Sequence, residues 1–73
     1  MDWTGCELVE VIPGKVSGKP LVVGTRIPAD LVVDLVDSGY KMKEILEDYP
    51  SLTPEIVQDI ATFAHARQEQ HTF

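Results

Sequence analysis

The stretch Gly18–Tyr40, GKPLVVGTRIPADLVVDLVDSGY, decides how this chain is read. It holds a short apolar run, a tight turn, a second short run and a punctuated helix. Leu21-Val22-Val23 is apolar and mostly β-branched, which suits a strand. Gly24-Thr25 follows as the expected centre of a type II′ hairpin turn, because glycine at the first central position accepts a positive φ without a Cβ clash. Arg26-Ile27 is the expected return strand. Pro28 then sits where a helix can begin, since its missing N–H is not needed at the first helical position. Gly39 supplies the left-handed residue that stops the helix, predicted over Pro28–Ser38. At 100° per residue, Asp30, Asp34 and Asp37 fall in a narrow stripe, and Leu31, Val32, Val33, Leu35 and Val36 fill most of the remaining circumference. That apolar arc is wider than one small core needs. Part of it, with Val33 near its edge, is expected to pack against a second copy of the chain.

Upstream, Met1–Cys6 has no periodicity and is expected to fray or to lie on a neighbour. Glu7–Ile12 reads as a strand by its β-branched content, apolar on both faces, with Pro13-Gly14 turning the chain after it. Downstream, Met42–Asp48 is expected as a second helix with Met42, Ile45, Leu46 and Tyr49 turned inward. It stops at Tyr49-Pro50, because a residue before proline avoids the α region. Thr53-Pro54-Glu55 is a strong start for a third helix, with Thr53 as N-cap and Pro54 at the first position. Ile56, Val57, Ile60, Ala61, Phe63 and Ala64 give that helix one broad apolar face. The expected fold is therefore α+β and mostly α. A β-arm and hairpin over residues 1–27 precede a three-helix unit of homeodomain or winged-helix type over 28–67, and 68–73 form a tail.

Seventy-three residues make one domain. A chain this short buries only about 60% of the surface its unfolded form exposes, so a second copy or a partner is an expected source of stability. One cysteine, Cys6, excludes an internal disulfide and fits a reducing, cytoplasmic setting. No apolar run approaches the length of a membrane span, and no secretory leader pattern is present. The net charge is −6. It is unevenly placed: Asp2, Glu7 and Glu10 balance Lys15, Lys19 and Arg26, whereas residues 28–73 carry nine acids against Lys41, Lys43 and Arg67. The helical half is the acidic half, which argues against a broad phosphate-binding footprint there and for a basic protein partner.

Three motifs carry a family likeness. They are the run G-K-P-x-V-x-G-T-R-I-P (Gly18, Lys19, Pro20, Gly24, Thr25, Arg26 and Pro28 among its fixed residues), the pair Gly39-Tyr40, and E-I-L-x-x-Y-P-x-L-T-P-E from Glu44 to Glu55. Together they resemble the small bacterial and archaeal family called domain of unknown function 433, from about Val11 to Ala64. That family is similar to antitoxins of type II toxin–antitoxin pairs. The resemblance implies a helix-turn-helix protein that binds and neutralises a PIN-like ribonuclease toxin, with repression of its own operon as a second role. A stand-alone DNA-binding regulator and a structural homodimeric adaptor are the alternatives.

For chemistry, the three aspartates of the first helix read as a solvated face, since nothing nearby suggests an oxygen cage. His65 and His71 lack partners at metal-ligand spacing, so no metal or cofactor is expected. No nucleophile–base arrangement is visible, and catalysis has no candidate. The glycines lack the lysine-serine pair of a phosphate loop and serve turns. Arg26 is expected to pair with a carboxylate of the same fold. In a helix-turn-helix reading, Gln58, Thr62 and His65 on the outward face of the third helix are the candidate base readers, and Lys41 and Lys43 the phosphate contacts. Glu55 and Asp59 would repel a duplex, so any DNA affinity is expected to be weak and salt-dependent. For a toxin, Arg67 could pair with nuclease carboxylates and Phe73 could fill a pocket.

Overall fold

The computed structural model describes residues 3–15 and 18–70, with side chains through residue 67. Two short strands and three helices follow in chain order: β1 (Val9–Glu10), β2 (Leu21–Val22), α1 (Ala29–Asp37), α2 (Met42–Asp48) and α3 (Pro54–Gln70). The strands pair antiparallel, with Val9 opposite Val22 and Glu10 opposite Leu21. The fold is α+β and mostly helical.

The strand expected over residues 7–12 is confined to Val9–Glu10 because turns cut it at both ends. The Val9 N–H donates to the Cys6 carbonyl on one side, and the Lys15 N–H donates to the Ile12 carbonyl around Pro13-Gly14 on the other. Val11 and Ile12 therefore lie beyond the strand and are exposed.

The turn after β2 also differs in register from the expected type II′ hairpin. The Thr25 N–H donates to the Val22 carbonyl, so Val23-Gly24 are the central residues. Gly24 has φ +78° at the third turn position, where a type II turn demands a positive φ. No return strand forms over Arg26-Ile27. The chain comes back through the Ile27 carbonyl, which accepts from the Val22 N–H, and through one bridge between Leu21 and Pro28.

Pro28 is extended (φ −62°, ψ 134°) and serves as the N-cap of α1 rather than its first helical residue. The helix ends as the sequence predicts. Ser38 is the C-cap and Gly39 takes φ +90°, while the Gly39 and Tyr40 N–H groups donate to the Val36 and Leu35 carbonyls in a Schellman arrangement.

Helix α2 has the expected bounds. Its Lys41 N–H is held by Glu44 Oε1 at 3.0 Å, an acid in the first turn satisfying an orphan donor. The short connection to α3 is pinned where the Leu52 N–H donates to the Tyr49 carbonyl and the Leu52 side chain is buried. Thr53 caps α3, its Oγ1 accepting from the Ile56 N–H at 3.2 Å. Helix α3 runs on to Gln70, so the expected tail over 68–73 begins as helix; residues 71–73 lie outside the described residues.

One core joins the sheet to the helices. Val22, Val32, Ile45, Val57 and Ile60 are almost fully buried in it. Two expectations are corrected here. Val33 is buried (7% exposed) in the same core cluster as Val32, with α1 packed along α3; it is a core residue and not a surface for a second copy. From Trp3 onward the N-terminal segment packs on the fold, while Met1 and Asp2 lie outside the described residues. Trp3 is equally buried, its ring stacked on Phe63 with centroids 5.7 Å apart and planes 15° from parallel. Its indole Nε1 donates to Asp30 Oδ1 at 3.0 Å. No described helix is long and apolar enough to cross a membrane.

Candidate functional site

The motif residues of the first loop turn out to be a backbone device. Pro20 offers its carbonyl to the Ala29 N–H at the start of α1. The Thr25 hydroxyl donates to the Val22 carbonyl at 2.8 Å and accepts from the Ile27 N–H at 3.0 Å. Gly24 supplies the positive φ, and its N–H is held by Glu10 Oε2 at 3.1 Å. Gly18 likewise sits at positive φ, in a loop whose Lys19 is exposed. This stretch feeds β2 into α1 at a fixed angle. Arg26 is exposed and has no carboxylate partner among the described residues, contrary to the expected internal ion pair.

On the helical side, Gln58, Thr62 and His65 recur at i, i+4 and i+7 and so share one face of α3. They do come together, but not as a free-standing ridge. They line a groove of about 340 Å³ where the C-terminal end of α1, the N-terminal end of α2 and the middle of α3 meet. Val36, Met42, Ile45, Val57 and Ala61 supply its apolar wall, and half-exposed Tyr40 stands at its mouth. His65 closes one side, its Nε2 lying 2.7 Å from Asp37 Oδ1 on α1. Two of the three aspartates expected on a purely solvated face, Asp30 and Asp37, therefore hold side chains from other parts of the chain.

The two lysines are exposed at the start of α2. Two residues apart, they do not stack on one side of a helix, so they make two separated contacts rather than a stripe. Glu44 sits at the same helix start. Glu55 and Asp59 are exposed in the opening turns of α3. A phosphate backbone approaching this end would meet acids first.

Arg67 is engaged within the fold. Its guanidinium carbon lies 4.8 Å from the Phe63 ring centroid, and its Nη2 donates to the Thr4 carbonyl. Together with Trp3 it straps the N-terminal segment to α3. Phe73, the other residue expected at a toxin interface, lies outside the described residues. Among the described residues, no three His, Cys, Asp or Glu side chains are grouped so as to hold a metal ion.

Sequence reasoning missed Trp3 and the groove. Trp3 is the single tryptophan of the chain, and that was its only signal. The groove depends on how α1, α2 and α3 cross, which no local pattern reports.

Residues 9–64 match the family described as "Protein of unknown function (DUF433)". The chain is 35% identical over 60 residues to the uncharacterized protein y4eO of Sinorhizobium fredii (strain NBRC 101917 / NGR234), a stretch covering 82% of this chain and 27% of that protein. It is also similar to the crystal structure of a DUF433 member from Anabaena variabilis. The TM-score is 0.68 at 30% identity, covering 86% of this chain and 62% of the other. The chain thus spans about a quarter of the curated relative it matches and under two thirds of the solved one. The Trp3 anchor lies outside the span of the family match.

Proposed function

The chain belongs to the DUF433 family, and on that footing we propose that it is a protein-binding module of the antitoxin type, silencing a PIN-like ribonuclease by covering its active site. The observation that carries this reading is the charge of the helical face. Glu55 and Asp59 are exposed on the opening turns of α3, the helix that a helix-turn-helix protein presents to DNA, in a chain of net charge −6. Such a surface repels phosphates and attracts a basic protein. The binding is steric and performs no reaction on this chain. It belongs in the cytoplasm, where the target RNA is.

The second reading is DNA binding, favoured by the gathering of Gln58, Thr62 and His65 on one face of α3, with Lys41 and Lys43 as phosphate contacts. In this account it is a weak, salt-dependent contribution made by two copies together, as operator repression by a homodimer requires. Val11, Ile12 and Val23, exposed beside the two-stranded sheet, are the apolar surface for that second copy. The deciding experiment recovers the protein that binds the chain in its native host, mixes the two and measures RNA cleavage. Loss of cleavage at equimolar chain supports the reading. Full cleavage with excess chain rejects it.

A further inference from the structure

We infer that residues 3–7 form a latch: an arm headed by Trp3 that covers a slot between α1 and α3 and opens as a unit while the core stays folded. This goes beyond the proposed function, since it concerns the chain alone and holds whatever the chain binds.

The arm has a clear boundary. The Leu8 carbonyl accepts from the Val23 N–H, so anchorage to the sheet begins at Leu8. Upstream of it the backbone bonds are local, from the Cys6 N–H to the Trp3 carbonyl and from the Val9 N–H to the Cys6 carbonyl. Each spans three residues, and neither ties the arm to a helix. Side chains do that. Trp3 stacks on Phe63 of α3 and donates to Asp30 Oδ1 on α1, Arg67 of α3 donates to the Thr4 carbonyl, and Cys6 packs partly buried against the core. Between these points Thr4, Gly5 and Glu7 are exposed. The centre of the core has other sources. Val22, Val32, Ile45, Val57 and Ile60 come from the sheet and all three helices, and all lie within the residues 9–64 of the family match. A short terminal segment tied to such a core by one buried ring and a few side-chain bonds opens at a lower free energy than the whole fold. Opening bares the Phe63 ring beside the Asp30 carboxylate, a slot fitted to a flat side chain with a donor on its edge.

The test is hydrogen–deuterium exchange of the full chain, followed by NMR. Trp3 is the sole tryptophan, so its indole N–H gives one assignable signal. That proton should be protected relative to a free tryptophan peptide, yet about tenfold or more below the slowest backbone amides of α3. Low urea should leave its rate unchanged while those amides speed up, because arm opening exposes little surface. Gly5→Ala gives a second reading. Gly5 has φ +92°, and an added Cβ meets only Arg67 Nη2 at 3.6 Å, so the variant strains the docked arm without crowding it. It should speed indole exchange by about fivefold or more, with the helical circular dichroism unchanged. An indole proton as protected as the α3 amides, with the same rise in urea, overturns the inference, because the arm then opens only with the core. An unprotected indole proton also overturns it, because the arm is then not docked. So does a Gly5→Ala variant that exchanges at the wild-type rate or loses its helical signal.

Discussion

Replacing Trp3 with Ala should remove a large share of the stability of this domain. A domain of this length has about 4–11 kcal/mol in total, from about 0.05–0.15 kcal/mol per residue. Trp3 is buried, stacks on Phe63 and hydrogen-bonds Asp30 through its indole nitrogen. Truncating a buried Trp to Ala costs about 3–5 kcal/mol when the surrounding structure relaxes only partly. Here there is a ceiling on that cost. Trp3 and the Arg67–Thr4 hydrogen bond hold one short segment, so the loss cannot exceed what docking that segment contributes. Trp3→Phe separates the parts: it keeps a ring against Phe63 but gives up the bond to Asp30, at about 1–2 kcal/mol. Urea unfolding should be followed by far-ultraviolet circular dichroism, since Trp3 is the sole tryptophan and its fluorescence leaves with it. At about 1–1.5 kcal/mol per molar for so small a domain, Trp3→Ala should lower the midpoint by about 2 M or more. Trp3→Phe should fall between it and the wild type. A Trp3→Ala midpoint within about 0.3 M of wild type, a shift worth under half a kcal/mol, would mean the N-terminal segment contributes nothing to the core.

Gly24→Val should cost about 1–2 kcal/mol, from forcing a β-branched residue into positive φ. A built Cβ meets nothing within 4 Å there, so the cost is backbone strain alone, and an unchanged denaturation midpoint would reject the turn geometry. Thr53→Ala should cost about 1 kcal/mol through loss of the α3 cap, read as a drop in melting temperature of about 4–8 °C. Lys41→Ala with Lys43→Ala should leave stability unchanged. It should flatten the salt dependence of any DNA binding by up to about two units, one for each phosphate no longer neutralised, as measured by gel shift across a salt series.

Much of the helical frame was legible because its signals are local. Pro50 after Tyr49, Thr53-Pro54 and Gly39 each fix a helix boundary through the chemistry of one or two residues, and each boundary lies where those residues put it. The loop from Gly18 to Pro28 was legible as a turn but not in its register. Placing Gly24 at the second or third turn position depends on whether Thr25 bonds back to Val22, and either arrangement gives glycine its positive φ. Val33 and Trp3 were misread for a shared reason. Helical periodicity says which residues are apolar and on which side, but not how deeply an element sinks or what comes to cover it. Of the α1 arc, Val32 and Val33 are buried within the chain, and Leu35 and Val36 are partly buried against the same core. Arg67 was legible as a rare base in an acidic half, one helical turn after Phe63, but its bond to Thr4 joins residues 63 positions apart.

On the proposed reading, the helical half chiefly meets a protein, and any contact with nucleic acid is a weak addition. The decisive measurement titrates the chain, and in parallel the Lys41→Ala, Lys43→Ala double variant, into a PIN-like ribonuclease recovered with the chain from its native host, and reads RNA cleavage. Cleavage should be lost at a one-to-one ratio, with wild type and double variant silencing it equally. Undiminished cleavage at excess chain, or silencing that disappears with the two lysines, would contradict that reading.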